Sequence, residues 1–182
     1  MELTTDRLLL REIALNDVSA IHNLHSLSET DQYNTMGIPE SIEVTQQLVA
    51  DWLLTIDQLP RTKYVFRIEN HKKEFIGIIG MNIGRPKYKN AEVWFKLHPL
   101  FWNNGYATEV VKCMLQFGFA QLTLHRIEAG CAVENLASAK VLEKCGFIKE
   151  GRCRKKLPIR GEWKDNFEFA LLDEDYFNSG TN

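Results

Sequence analysis

The stretch from Ala91 to Leu122 constrains this chain more than any other, because its hydrophobic period changes once across a single short turn. Ala91, Val93, Phe95 and Leu97 alternate with Glu92, Trp94 and Lys96, which predicts a strand with one apolar face. Beyond the turn, apolar or small residues at 107, 110, 111, 114, 115, 118 and 122 keep helical spacing and predict the strongest helix of the chain. A strand that enters a helix this way aims the free N–H groups of the helix N-terminus at whatever lies above the turn. Gly105 and Ala107 put little side chain in the way, so a phosphate group can reach the backbone. By itself, the same pattern also fits a plain connection.

The flanking segments read as alternating short elements. Leu8 to Ile13 predicts a strand, and Asn16 an N-cap for a helix from Asp17 to Ser28. A polar loop with one aromatic, Gln32 to Ile38, precedes a second helix that opens at Ser41 and carries Val44, Leu48, Val49, Trp52 and Ile56. Strands are expected at Lys63 to Glu69 and at Glu74 to Met81, the second apolar on both faces as a central strand is. A strand at Arg126 to Val133 leads to a helix capped by Asn135 and stopped by Gly146, and strands near Phe147 to Arg154 and Trp163 to Leu172 close the chain. With no repeat, low-complexity tract or linker in 182 residues, one domain spanning 1–182 is expected.

Charge and cysteine content exclude several classes. Lys+Arg 22 against Asp+Glu 24 gives a net charge of −2, which offers no electrostatic footprint for nucleic acid. No apolar run approaches the roughly 18 residues of a membrane span, and Met1 to Asp6 lacks a signal-peptide layout, so a cytoplasmic protein without membrane contact is expected. Cys113, Cys131, Cys145 and Cys153 form no C-x-x-C pair and have no histidine at zinc-ligand spacing; they read as reduced thiols packed as small hydrophobes, with no metal. The absence of G-x-G-x-x-G after the first strand argues against a nucleotide-dependent oxidoreductase.

Trp102-x-x-Gly105-Tyr106-Ala107-Thr108-Glu109, followed by Asn135-x-x-Ser138 and Gly146-Phe147, resembles the GCN5-related N-acetyltransferase (GNAT) superfamily. Thr5-Asp6-Arg7-Leu8-x-Leu10-Arg11 and Gly161-x-Trp163-x-Asp165 resemble its RimJ/RimL-like branch of ribosomal-protein N-terminal acetyltransferases. The resemblance covers nearly the whole chain and implies a mixed α/β (α+β) GNAT fold: a mostly antiparallel twisted sheet with two splayed parallel strands and helices on both faces. It implies acetyl-CoA as cosubstrate, its pyrophosphate on the amides of Asn103, Asn104, Gly105, Tyr106, Ala107 and Thr108, and its pantetheine along the strand ending at Leu97. Asn135 would hold the pantetheine or acetyl end and Ser138 the leaving thiolate. Asn103-Asn104 depart from the branch, where glycine and then Lys, Arg or Gln are usual, which removes one charge-assisted phosphate contact. Lys140 and Lys144 read as a solvated face or as contacts to the nucleotide phosphate.

The implied reaction is direct attack of a neutral amine on the thioester. At pH 7, deprotonating a lysine side chain costs about 4.6 kcal/mol, against about 1 kcal/mol for an α-amine. Glu92, off the apolar face of its strand, is the candidate base, or else a salt-bridged surface carboxylate. Ser138 is the candidate acid, or else part of ordinary capping with Asn135, and Tyr106 belongs to the phosphate turn. The acceptor is expected to be a protein N-terminus or a small-molecule amine, aminoglycosides included, bound between residues 17 and 60 near Tyr33 and Trp52, which serve equally as core. The enzyme is expected to act as a monomer or homodimer. A non-catalytic acyl-CoA-binding module is the alternative, favoured by Asn103-Asn104 alone.

Overall fold

Apolar residues on both faces of the central strands require cover on both sides, and helices provide it. A computed structural model describes residues 1–178. Its strands β1 (Glu2–Thr4), β2 (Leu8–Glu12), β3 (Lys63–Asn70), β4 (Phe75–Ile83), β5 (Asn90–Leu97), β6 (Arg126–Ala132), β7 (Ile148–Ile159) and β8 (Glu162–Leu172) form one sheet in the order β1-β2-β3-β4-β5-β6-β8-β7. Every neighbouring pair is antiparallel except β5 and β6, which run parallel.

Helices α1 (Val18–His25) and α3 (Ile42–Leu53) cover one face, where Ile21, Leu24, Val49 and Trp52 pack on Val65 and Ile78. Helices α4 (Tyr106–Gln116) and α5 (Leu136–Lys144) cover the other, with Val110, Val111, Met114 and Leu142 against Phe66, Ile79, Val93 and Ile127. A short α2 (Ser28–Asp31) follows α1, and α6 (Asp173–Asn178) follows β8. Among the described residues no helix is long and apolar enough to cross a membrane.

The parallel pair positions the site. β5 and β6 pair only at Asn90, Ala91 and Glu92 with Arg126, Ile127 and Glu128. Past that point β5 stays with β4 as far as Leu97 and β6 stays with β8 as far as Ala132, so a V-shaped gap opens with Glu92 at its vertex. Gly80 on β4 makes room beside it: a Cβ there would stand 2.4 Å from the Trp94 ring.

Several boundaries differ from the sequence expectation. Asn16 is not the N-cap of α1; it lies in a 3-10 turn, Leu15–Asp17, and α1 starts at Val18 and ends at His25, short of Ser28. Asp17 sets the late start by turning its carboxylate back onto the Ala14 N–H at 2.8 Å and onto two arginines. The long helix relaxes into a π turn, Phe117–Gln121, where a Cβ on Gly118 would stand 2.6 Å from the Ile127 side chain. β7 runs on to Ile159, beyond Arg154; this edge strand is exposed along nearly its whole length and therefore shows no apolar alternation. Cys153 is exposed on it rather than packed, whereas Cys131 and Cys145 are buried and Cys113 is partly so. Burial holds the thiols of Cys113, Cys131 and Cys145 up at about 11.

Candidate active site

A cleft of about 1080 Å³ follows the gap between β5 and β6. One end is the turn before α4. Asn103 there has φ +61° and Gly105, the N-cap of α4, has φ +78°. Asparagine is one of the few residues that enters the left-handed region readily, so Asn103 can keep a backbone shape that otherwise calls for glycine. Only the Arg7 guanidinium comes within 4 Å of a Cβ built on Gly105, at 3.4 Å. The N–H groups of Tyr106, Ala107 and Thr108 form the first turn of α4 and have no carbonyl one helical turn behind them. The turn thus leaves free amides at the N-terminus of α4 despite the Asn103-Asn104 departure.

The turn is braced by a residue that sequence reasoning left without a role. Arg7 Nη1 donates to the Asn104 carbonyl at 3.1 Å, and Arg7 Nε donates to Glu109 Oε2 at 2.7 Å. Thr5 Oγ1 and the Arg7 backbone N–H both donate to Glu109 Oε1, at 2.5 and 3.1 Å. These contacts, together with the Arg7 guanidinium charge, hold the Glu109 carboxyl below its ordinary value against the opposing effect of burial, which is the largest single influence on it. The guanidinium also lies 4.6 Å from the centre of the Tyr106 ring. The Thr5-Asp6-Arg7 run was the signal; its target more than a hundred positions along the chain was not visible.

The β5 edge supplies a second set of backbone groups. His98 N–H donates to the Ile76 carbonyl on β4 at 2.8 Å, so by alternation the polar groups of Leu97 and Phe95 point toward the gap. The Leu97 carbonyl is taken by Trp102 Nε1 at 2.8 Å, which leaves its N–H for a ligand. On the opposite wall Asn135 caps α5, its Oδ1 accepting the Ser138 N–H at 3.2 Å. Ser138 lines the cleft, and its hydroxyl has no partner among the described residues. Lys140 and Lys144 are exposed on the same helix and reach the cleft wall.

Glu92 sits at the vertex, with Asn82 opposite on β4 and Glu128 beside it on β6. It opens onto the cleft, yet the surrounding walls withdraw it from bulk water enough to raise its carboxyl above the usual range. Glu128 and Glu168 push the same way, while Lys156 and a hydrogen bond with Asn82 oppose. Lys156, whose charge acts on it, is paired with Glu168 at 2.6 Å, and among the described residues Glu92 has no ion pair of its own.

The far side of the cleft is walled by Tyr33, Asn34, Thr35, Met36, Leu48 and Trp52. Trp52 is both core and wall: it is 7% exposed, and its ring lies 5.7 Å from that of Trp94. Two further groups here were missed. His25, 2% exposed, is held neutral at about 3 by burial and by the charges of Lys96 and His22. Lys96 is pushed down to about 8 by burial, and its Nζ is shut from solvent without a hydrogen-bond partner. Alternation set Lys96 on the face of Glu92 and Trp94, but its burial comes from α1 and α2, which no local pattern reveals. No group of three His, Cys, Asp or Glu side chains able to hold a metal occurs among the described residues.

Residues 7–148 match the acetyltransferase (GNAT) domain. The chain is 32% identical over 170 residues to an uncharacterised N-acetyltransferase, YoaA, of Bacillus subtilis, covering 93% of this chain and 96% of that one. It is 27% identical over 172 residues to a spermidine N(1)-acetyltransferase of Vibrio cholerae, covering 94% and 96%. A crystal structure of spermidine N-acetyltransferase from Vibrio cholerae in complex with CoA and spermine superposes with a TM-score of 0.85 at 25% identity, over 96% of this chain and all of that one.

Proposed function

The chain belongs to the acetyltransferase (GNAT) family and is an acetyl-CoA-dependent N-acetyltransferase, and we propose that it acetylates a primary amine with Glu92 as base and Ser138 as acid. The carrying observation is the placement of Glu92, its carboxyl raised by withdrawal from water, at the point where β5 and β6 part, in one cleft with the Ser138 hydroxyl, which has no partner among the described residues. This reading treats residues 1–182 as one catalytic domain. Acetyl-CoA, when bound, supplies an activated acetyl group on a thiol leaving group. The amides of Asn103 to Thr108 hold its phosphates, the Phe95 and Leu97 backbone aligns the pantetheine, and the Asn135 side-chain NH2, free of the cap, faces the acetyl end.

Glu92 takes a proton from the incoming ammonium through a water, which makes the amine nucleophilic. The Ser138 hydroxyl gives a hydrogen bond or proton to the leaving sulfur. Likeness to spermidine acetyltransferases along nearly the whole chain supports a small-molecule amine. Likeness to a putative ribosomal N-acetyltransferase of Bacillus subtilis, YdaF, is 28% over 88 residues, 48% of each chain, and is the support for the RimJ/RimL-like alternative of a protein N-terminus. Thiol release measured with amines and N-terminal peptides, followed by intact mass of the product, tests the reading; acetyl-CoA binding without turnover of any acceptor overturns it.

Two variants separate chemistry from cofactor binding. Ser138→Ala lowers kcat roughly 10²-fold, within the range for loss of a general acid, and leaves the calorimetric affinity for acetyl-CoA within about twofold, the backbone cradle being intact. Arg7→Ala does the opposite. It unties the turn from Glu109 and raises the Kd for acetyl-CoA roughly tenfold, the size expected for losing charge-assisted hydrogen bonds, while saturating kcat changes little.

A further inference from the structure

Once the base and acid are assigned, the acceptor side of the cleft still holds unexplained features. Trp94 lies between Glu92 and Lys96 on one face of β5, tilted against Trp52, with Leu48, Tyr33 and Met36 around them. The wall is therefore largely apolar and aromatic. Its charges do not suit a polycation. Glu168 is committed to Lys156 at 2.6 Å, and Glu29 is fully exposed at the rim. The other charged groups that line the cleft are Lys63, Lys96, Lys140 and Lys144.

Lys96 is the informative one. Among the described residues no carboxylate lies within ion-pair distance of its Nζ; Asp31 attracts it from further away, with its Oδ2 held by Arg160 Nε at 3.0 Å and its Oδ1 without a hydrogen-bond partner. His25 beside it stays neutral and offers no negative charge. An uncompensated ammonium under the acceptor wall repels each additional cationic centre of a bound amine, and in a cleft of reduced dielectric that repulsion is little screened.

We propose that this enzyme selects a monoamine with an apolar, aromatic body and rejects polyamines, with the Trp52–Trp94 pair seating the body and Lys96 excluding a second positive charge. The proposal rests on the acetyl-transfer reading above and narrows its acceptor. It is argued from residues the chain itself carries and not from the names of its relatives. Trp94 fits its place because Gly80 beneath it has no side chain.

The test is kcat/KM by thiol release with tryptamine, phenethylamine, spermidine and spermine, together with calorimetric binding of tryptamine and spermidine to the CoA-loaded protein. The expected result is a preference of at least about 100-fold for the aromatic monoamines, with the same order in binding. Lys96→Met is expected to raise spermidine kcat/KM about tenfold, whereas Lys96→Arg, which keeps the charge, does not. Trp94→Ala is expected to lower tryptamine binding about tenfold. Spermidine turned over as well as tryptamine by the unaltered enzyme overturns this proposal and leaves the acetyl-transfer reading standing. Acetyl-CoA binding without turnover of any amine overturns both.

Discussion

Glu92→Gln lowers kcat by roughly 10²- to 10³-fold, with little change in the Kd for acetyl-CoA. Glutamine keeps the size of the side chain and its hydrogen bond with Asn82, but it cannot accept a proton. The pH profile gives the sharper test. Withdrawal from water, with Glu128 and Glu168 nearby, raises the Glu92 carboxyl above its usual range, and a base works only when deprotonated. Activity of the unaltered enzyme therefore rises with pH through that raised carboxyl, and again as the free amine deprotonates. In Glu92→Gln the lower of these limbs disappears and the amine limb remains. A profile that keeps both limbs in the variant removes Glu92 from the base role.

The second large effect concerns stability. Asp17 is 1% exposed, and its carboxylate accepts from Arg11 Nη1 and Nη2 at 2.9 and 2.7 Å, from Arg67 Nη1 at 3.0 Å and from the Ala14 N–H at 2.8 Å. The same arginines share Glu69. Asp17→Asn leaves two partly buried guanidinium groups without their central anion, and the expected loss is about 3 to 5 kcal/mol. For a chain of this size that lowers Tm by roughly 10 to 15 °C, measured by calorimetry or urea titration.

The sign of the accompanying pH effect follows from the direction of the shift. Burial pushes the Asp17 carboxyl up, but the arginine and Ala14 hydrogen bonds and the charges of Arg11 and Arg67 outweigh it and hold it below its ordinary value of 3.8. A carboxyl lowered on folding stabilises the protein above its unfolded pKa, and that stabilisation is lost as pH falls through the folded one. The acid limb of the stability curve is therefore shallower in Asp17→Asn. An acid limb as steep as that of the unaltered protein shows that Asp17 is not its source.

What could be read in advance follows the range of the interactions. The helix after Gly105, the cap at Asn135 and the stop at Gly146 rest on spacing and on bonds that close within a few residues, and they stand where expected. The start of α1 was misplaced because Asp17, which reads locally as a helix residue, is claimed by Arg67 fifty positions away. The far half of β7 was missed because an exposed edge strand has no inward face to impose alternation. The site divides in the same way. The turn before α4 is a local shape, so its glycine and asparagines could be named from the chain alone. Arg7 beneath that turn and Lys96 beneath the acceptor wall could not.

By itself, then, the sequence indicated the order of the main strands and helices, though not β1, α2 or α6, and the glycine turn before α4, since each depends on periodicity or on contacts within one turn; Glu92 and Ser138 were candidates by resemblance to the family as well as by spacing. Only the tertiary structure decided that β5 and β6 part just past Glu92, that Asn103 keeps the left-handed shape, and that the Lys96 ammonium is shut from solvent without a hydrogen-bond partner. The reason is physical. Charge state and access depend on how much water and which charges surround a group, and those neighbours come from elements distant in the chain that meet only when the sheet closes over its helices.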